Sequence, residues 1–227
     1  MKSNYRQASS KLASELVVNR IEQHLRLRPK DIIFAMQEKY NILISFKKVC
    51  HAKDIAIDRV MGSYEDSYKE LPMYLHDLRM TNPRTMTALL VTQETMRFER
   101  CFVALEQCVR SFQTSLRRVL PINEMHLKGK YKSIIFVATT LDGDNHIFPD
   151  AFGIGESENS SSWNWFLTYL SNLLGDLSGL IIISNRHKDL MKEVLHIFQV
   201  AIHGYCAYHI YRNLVDTFKD KSLEINY

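Results

Sequence analysis

Two strand-like runs lie close together in the chain, SIIFVATTL (Ser133–Leu141) and HIFPDAFGIG (His146–Gly155), separated by the turn sequence Asp142-Gly143-Asp144-Asn145. This pair limits the fold more than any other feature, because apolar runs joined by so short a turn must be antiparallel neighbours in a sheet. A shorter run, Val119–Glu124, precedes them. Ser160-Ser161-Ser162 then caps an amphipathic helix, WNWFLTYLSNLLG, whose Trp163, Phe166, Leu167 and Leu170 share a face able to cover that sheet. Leu180–Ile183 reads as a fourth strand, Lys188–Phe198 as a helix, Val200–Ile202 as a short fifth strand and Tyr205–Phe218 as a closing helix. Three strands, a helix, a strand, a helix and a strand describe an α/β fold, a mixed sheet with helices packed on it.

The first part of the chain has a different character. Residues 1–60 hold 12 Lys+Arg against 6 Asp+Glu, a net +6, whereas the other 167 residues hold 17 against 19, a net −2. A basic segment on a near-neutral body points to an anionic partner for that segment, or to a solvated helical surface. Leu12, Leu16, Val17, Ile21 and Leu25 fall at helical spacing over residues 9–28, and Arg28-Pro29-Lys30-Asp31 ends that helix and begins another. Ile32, Ile33, Met36 and Tyr40 mark the core face of the second helix. After the apolar turn Asn41–Ile44, Ser45 is expected to cap a third helix ending at Gly62. Residues 1–62 therefore form a helix-turn-helix-like region, with Ser45, Lys47, Lys48, His51 and Lys53 placed to meet phosphates and base edges. A plain three-helix cluster has the same turn, so both readings stand on spacing alone.

Residues 63–116 read as a helical linking region: a helix over Ser67–Met80, a stop at Asn82-Pro83, a possible strand within Thr85–Thr95, and a helical stripe of Phe98, Cys101, Phe102, Leu105, Cys108 and Phe112. At 46% hydrophobic and 24% charged, the chain has enough apolar residues for a folded core. No apolar run approaches the roughly 20 residues of a membrane span. The first 20 residues lack a signal peptide's continuous apolar stretch, so an intracellular chain is expected. Cys50, Cys101, Cys108 and Cys206 include no CxxC pair and are expected as free or buried thiols.

The element order from Val119 onward is that of ribonuclease-H-like nucleases and integrases. In that arrangement the first and fourth strands lie side by side, and a carboxylate from each holds a pair of divalent metal ions that drive phosphodiester chemistry. The sequence itself resembles the plant Mutator-like (MuDR, or MULE) transposases. HLKGKY (His126–Tyr131), SEN (Ser157–Asn159), SWNWFL (Ser162–Leu167), SNRHK (Ser184–Lys188) and HGYCAYH (His203–His209) carry the resemblance, and SYEDSYKELPMYL (Ser63–Leu75) and TNP (Thr81–Pro83) extend it upstream. Residues 117–227 then correspond to the family's transposase domain, in an incomplete form.

The resemblance implies a DNA-cutting and -joining enzyme of the nucleus that uses Mg²⁺ or Mn²⁺. Its first two catalytic aspartates correspond to Asn123 and Asn185, the degenerate catalytic positions of this chain. An amide supplies no charge to a hard cation, so no cofactor and no strand cleavage are expected. Glu124 is expected to point away from its neighbour's site, because adjacent strand residues face opposite sides. The family's third acidic residue is expected beyond Tyr227, and Glu224 stands too near the CxxH motif for that role. Cys206 and His209, with His203, form a weak zinc candidate, and packing near the active edge is the preferred reading. Asp142 and Asp144 suit a turn, and Asp150 lies off the pair. Lys128, Lys130, Arg186 and His187 are further candidate contacts to DNA. A degenerate transposase-derived DNA-binding protein, alone, as a homodimer or paired with an intact transposase, is the expected function. An enzyme active through such a partner and an inert scaffold for protein contacts are the alternatives.

Overall fold

Ile134, Phe136, Ala138 and Thr140 are buried while the residues between them are partly exposed, the period-2 signature of a strand in the middle of a sheet. That strand, β4 (Ile134–Leu141), pairs antiparallel with β5 (Ile147–Gly155) on one side and β3 (Val119–His126) on the other. The structure is a computed structural model and describes residues 13–15, 17–18, 28–62, 64–128, 131–175 and 177–218. The chain divides into two compact units, Met1–Leu71 and Pro72–Tyr227.

In the first unit, helix α1 (Pro29–Tyr40) begins where Pro29 fixes the first helical residue. The Arg28 backbone N–H donates to Asp31 Oδ2 at 3.2 Å, closing the first turn. Asn41, with φ 54°, ends the helix in the left-handed conformation that Asn tolerates. Helix α2 (Phe46–Met61) follows the apolar turn, and Ile32, Met36, Ile44, Val49, Ala52 and Ala56 form the core with Ala13 and Val17. Ser45 occupies the N-cap position with extended backbone, but its side chain makes no capping bond. Most of the expected helix over residues 9–28 lies outside the described residues.

Helix α3 (Tyr64–Thr81) contains Pro72 and ends at Asn82, as the sequence expects. The helical stripe expected from Phe98 does not form. Residues Met86–Val91 (β1) and Phe98–Ala104 (β2) make an antiparallel hairpin, and only Glu106–Thr114 is helical (α4). The apolar spacing of Phe98, Cys101 and Phe102 suits either structure. β2 is a strand because Cys101, Phe102, Val103 and Ala104 are all buried between two neighbours, β1 and β5. Residues 63–116 are therefore more than a helical link, since two of their segments are strands of the sheet.

Helix α5 (Ser160–Leu174), strand β6 (Ile181–Ser184), helix α6 (Lys188–Ile197), strand β7 (Ile202–Tyr205) and helix α7 (Ala207–Phe218) complete the second unit. The sheet order is β1-β2-β5-β4-β3-β6-β7, with β6 parallel to β3 and β7 parallel to β6. β5-β4-β3-β6-β7 is the order expected of a ribonuclease-H-like sheet, and the β1–β2 hairpin extends it beyond β5. The expected fifth strand over Val200–Ile202 instead runs from Ile202 to Tyr205.

One face of the sheet presents Phe102, Leu120, Ile122, Phe136 and Ala138 to Val109 and Phe112 of α4, Trp163, Phe166, Leu167 and Leu170 of α5, and Leu190 and Val194 of α6. Phe136 meets Trp163 edge-on with ring centroids 4.7 Å apart, and Phe102 stacks on Tyr169 at 5.4 Å. Pro121 has no N–H for the ladder, and the β3–β4 pairing runs only from Ile122 onward. Beyond it the Thr140 hydroxyl lies 3.0 Å from the Val119 carbonyl and 3.2 Å from that of Arg117, satisfying backbone oxygens that the ladder leaves unused.

Candidate functional site

β3 and β6 run parallel, with Val119 opposite Ile181 and Ile122 opposite Ser184, and β6 ends at Ser184 while β3 continues, paired with β4, to His126. The C-terminal edge at which β6 ends is where α/β sheets gather chemistry, since loops leave there and the backbone no longer consumes every polar group. Asn185 leaves β6 at this point. Its Oδ1 accepts the backbone N–H of His187 at 3.0 Å, a turn that bends the chain into α6. Its Nδ2 donates to both oxygens of Glu124, at 3.0 Å each. The His187 contact requires an oxygen on its side, which settles which end of the amide faces Glu124.

Glu124, not Asn123, is thus the β3 side chain that meets Asn185. Leu120 and Ile122 point into the core and Glu124 continues their alternation, whereas Asn123 is exposed on the other face. The expectation that Glu124 turns away is corrected. Adjacent residues of β3 do face opposite sides, but the member of the pair that faces the edge is Glu124.

Around Glu124 stand groups of both signs. Burial raises the pKa of its carboxyl and the nearby Glu158 charge raises it further, while its own backbone N–H, His187 and His209 pull it back down. Glu158 belongs to the SEN segment just before α5. Its Oε1 lies 3.1 Å from His187 Nδ1 and accepts the Trp163 indole N–H at 3.3 Å. Sequence reasoning passed over Glu158 as a site residue. A carboxylate a few residues before a core-facing tryptophan and helix was the available signal. At the next strand, Ser184 Oγ lies 2.8 Å from His203 Nε2 and 2.8 Å from the Asn185 carbonyl oxygen. Burial lowers the pKa of His203, favouring a neutral ring. His203 is therefore engaged with Ser184. Cys206 uses its backbone N–H on the Ser184 carbonyl, and His209 keeps a buried Nδ1 without a hydrogen-bond partner. Among the described residues, no three His, Cys, Asp or Glu side chains converge as metal ligands.

Residues 119–213 match the model of the MULE transposase domain. That stretch of the chain is similar to a MULE transposase domain. The match begins at the first residue of β3 and ends within α7, so it includes the whole Glu124–Asn185 edge. No curated protein matches the chain. Within the matched stretch Arg186 and Lys128 are exposed and His187 is partly so, and Lys130 lies outside the described residues; Glu224, beyond the match, lies outside them too. Asp142 serves its turn: its Oδ1 accepts the N–H groups of Asp144 at 2.9 Å and His146 at 2.8 Å, bonds that lower its pKa. Asp150 is buried on β5 away from this edge, and neither of its oxygens has a hydrogen-bond partner.

In the first unit, Ser45, Lys47 and His51 are exposed along the start of α2, and Lys48 and Lys53 are partly so. This end of the helix carries no acidic residue in its first turn. No described helix is long and apolar enough to cross a membrane.

Proposed function

We propose that this transposase-derived protein binds DNA in the nucleus through the start of α2 and does not cut it. One observation carries the second half of that reading: the Asn185 amide nitrogen is directed at both oxygens of Glu124. A hard divalent cation needs several oxygen ligands, chiefly carboxylates. At this edge Glu124 faces a donor, Asn123 is on the other face, and Glu158 accepts the Trp163 N–H through the same Oε1 that lies 3.1 Å from His187 Nδ1. The donor set does not fit the metal pair of the family.

Helix electrostatics support DNA binding. The N-terminus of a helix carries unsatisfied N–H groups and partial positive charge, which favour an anion. In α2 the first turn holds Lys47 and Lys48 and no acid, and the Ser45 hydroxyl caps nothing. That end is therefore mismatched with its own dipole until a phosphate arrives.

The test is binding of a random-sequence duplex over a salt series. The expected result is binding that weakens steeply with salt, and a slope lower by about 1 for each of Lys47→Ala and Lys48→Ala. Binding indifferent to salt and to both lysines would favour a scaffold without phosphate contacts. Incubation of the unmodified chain with duplex and Mn²⁺ is expected to leave the strands intact, and cleavage would refute the second half.

A further inference from the structure

The turn between α1 and α2 divides its apolar residues between the core and solvent. Ile42, Ile44 and Val49 pack in or against the core of the first unit, and that core includes neither Leu43 nor Phe46. Leu43 is 85% exposed and Phe46 is 57% exposed. A leucine alone on a surface is ordinary, but here an aromatic ring stands three residues away, so the two lie within about 10 Å of each other. Phe46 is the first residue of α2, and helical side chains lean toward the N-terminus, so its ring leans back toward the turn that carries Leu43.

The charge around this pair has one sign. From Lys39 to Lys53 the chain holds four lysines and no acidic residue. Lys47, next to Phe46, is exposed, and Lys48 is partly so. Apolar side chains set among cations suit a ligand that is both apolar and anionic. A nucleic-acid strand is both, through its bases and its phosphates. In a duplex each base face is covered by its neighbours, and a protein meets only base edges and phosphates. In an unpaired stretch the faces are free, and an aromatic ring gains by stacking on one whatever the base.

We propose that Phe46 and Leu43 form a stacking platform for unpaired bases, with Lys47 and Lys48 on the flanking phosphates, so that the DNA this protein prefers is single-stranded or locally opened. The inference rests on the DNA-binding reading above. Fully paired duplex tests that reading, and the difference between open and paired DNA tests this one.

The experiment measures binding of the full chain to a thymine single strand, to a duplex of the same length and to that duplex with a central mismatched bubble, all at one salt concentration. The single strand and the bubble are expected to bind about tenfold more tightly than the duplex, the gain of one stacked base. Phe46→Ala is expected to remove that advantage and leave duplex affinity unchanged, which also shows that the variant folds. Phe46→Trp is expected to keep the advantage, and Leu43→Ala to lose a smaller part of it, because leucine has no π face. Lys47→Ala is expected to weaken all three ligands alike. The proposal is overturned if open and paired DNA bind equally, or if the preference survives Phe46→Ala. Absence of all DNA binding overturns it together with the reading it rests on. Binding to phosphatidylserine vesicles that is lost in Phe46→Ala, without any preference among the DNA ligands, would assign the surface to a membrane and overturn it as well.

Discussion

Asp150 is the residue that fits its place least well. In the β4–β5 ladder Ala138 pairs with Ala151 and Thr139 with Pro149, so Asp150 is the extra residue of a bulge. It is 2% exposed, neither oxygen is hydrogen-bonded, and burial pushes its pKa up to about 7 from 3.8. Folding thus favours the protonated form. Below about pH 4 the group is neutral in both states, and its ionisation takes nothing from stability. As pH rises the unfolded chain releases its proton first, so stability falls up to about pH 7, by roughly 1.4 kcal/mol for each step of one in pH. Thermal unfolding from pH 4 to 8 is expected to show this decline, and Asp150→Leu is expected to flatten it and raise the melting temperature at pH 8 by several degrees. A decline unchanged in Asp150→Leu would assign it elsewhere. The Asp150 charge also contributes to the raised pKa of the Cys108 thiol, after burial. For single residues the sequence was only partly legible. It located the edge where Asn185 leaves its strand, because an apolar run stops there. It did not show which of Asn123 and Glu124 faces that edge, since a parity is fixed only once a neighbouring residue such as Ile122 is known to be in the core.

Elements were read best where pattern and partner agree. Strands β3, β4 and β5, helix α5 and the β6–α6 pair lie within a few residues of their expected positions, because turn residues and caps bound each one. The Asn159 side chain, one residue before the three serines, accepts the Ser162 N–H at 2.9 Å and starts α5. β2 was legible only as apolar. Its strand identity comes from β1 and β5, two segments far from it in pattern or in sequence. The fit between β5 and α5 depends on a missing side chain. A Cβ at Gly153 would lie 2.9 Å from Phe166 Cδ2 and 3.2 Å from the Cys101 carbonyl oxygen, and Phe166 is fully buried. Gly153→Ala is expected to cost about 1–3 kcal/mol by overpacking, measured by urea unfolding. Combining it with Phe166→Leu is expected to give a total below the sum of the separate costs, because the smaller side chain relieves the clash. Strict additivity would mean that the two do not meet.

The described residues form two cores that share no residue. One is built from Ile32, Met36, Val49, Ala52 and their neighbours, the other from Phe102, Phe136, Trp163, Phe166 and theirs. Cooperative unfolding follows shared packing, so calorimetry is expected to resolve two transitions. Met36→Ala, at a cost of about 2–5 kcal/mol, is expected to lower only one of them, and Phe166→Ala, at about 3–5 kcal/mol, only the other. A single transition displaced by both substitutions would show that the cores unfold together. Separate cores also set the terms on which such a chain drifts over generations. A change at Asn185 or Glu124 is judged by the second core and by whatever the sheet edge still does. The lysines of α2 answer to a different set of residues. Selection can therefore relax on one half of the protein while remaining strict on the other, and an inheritance of this kind erodes by halves.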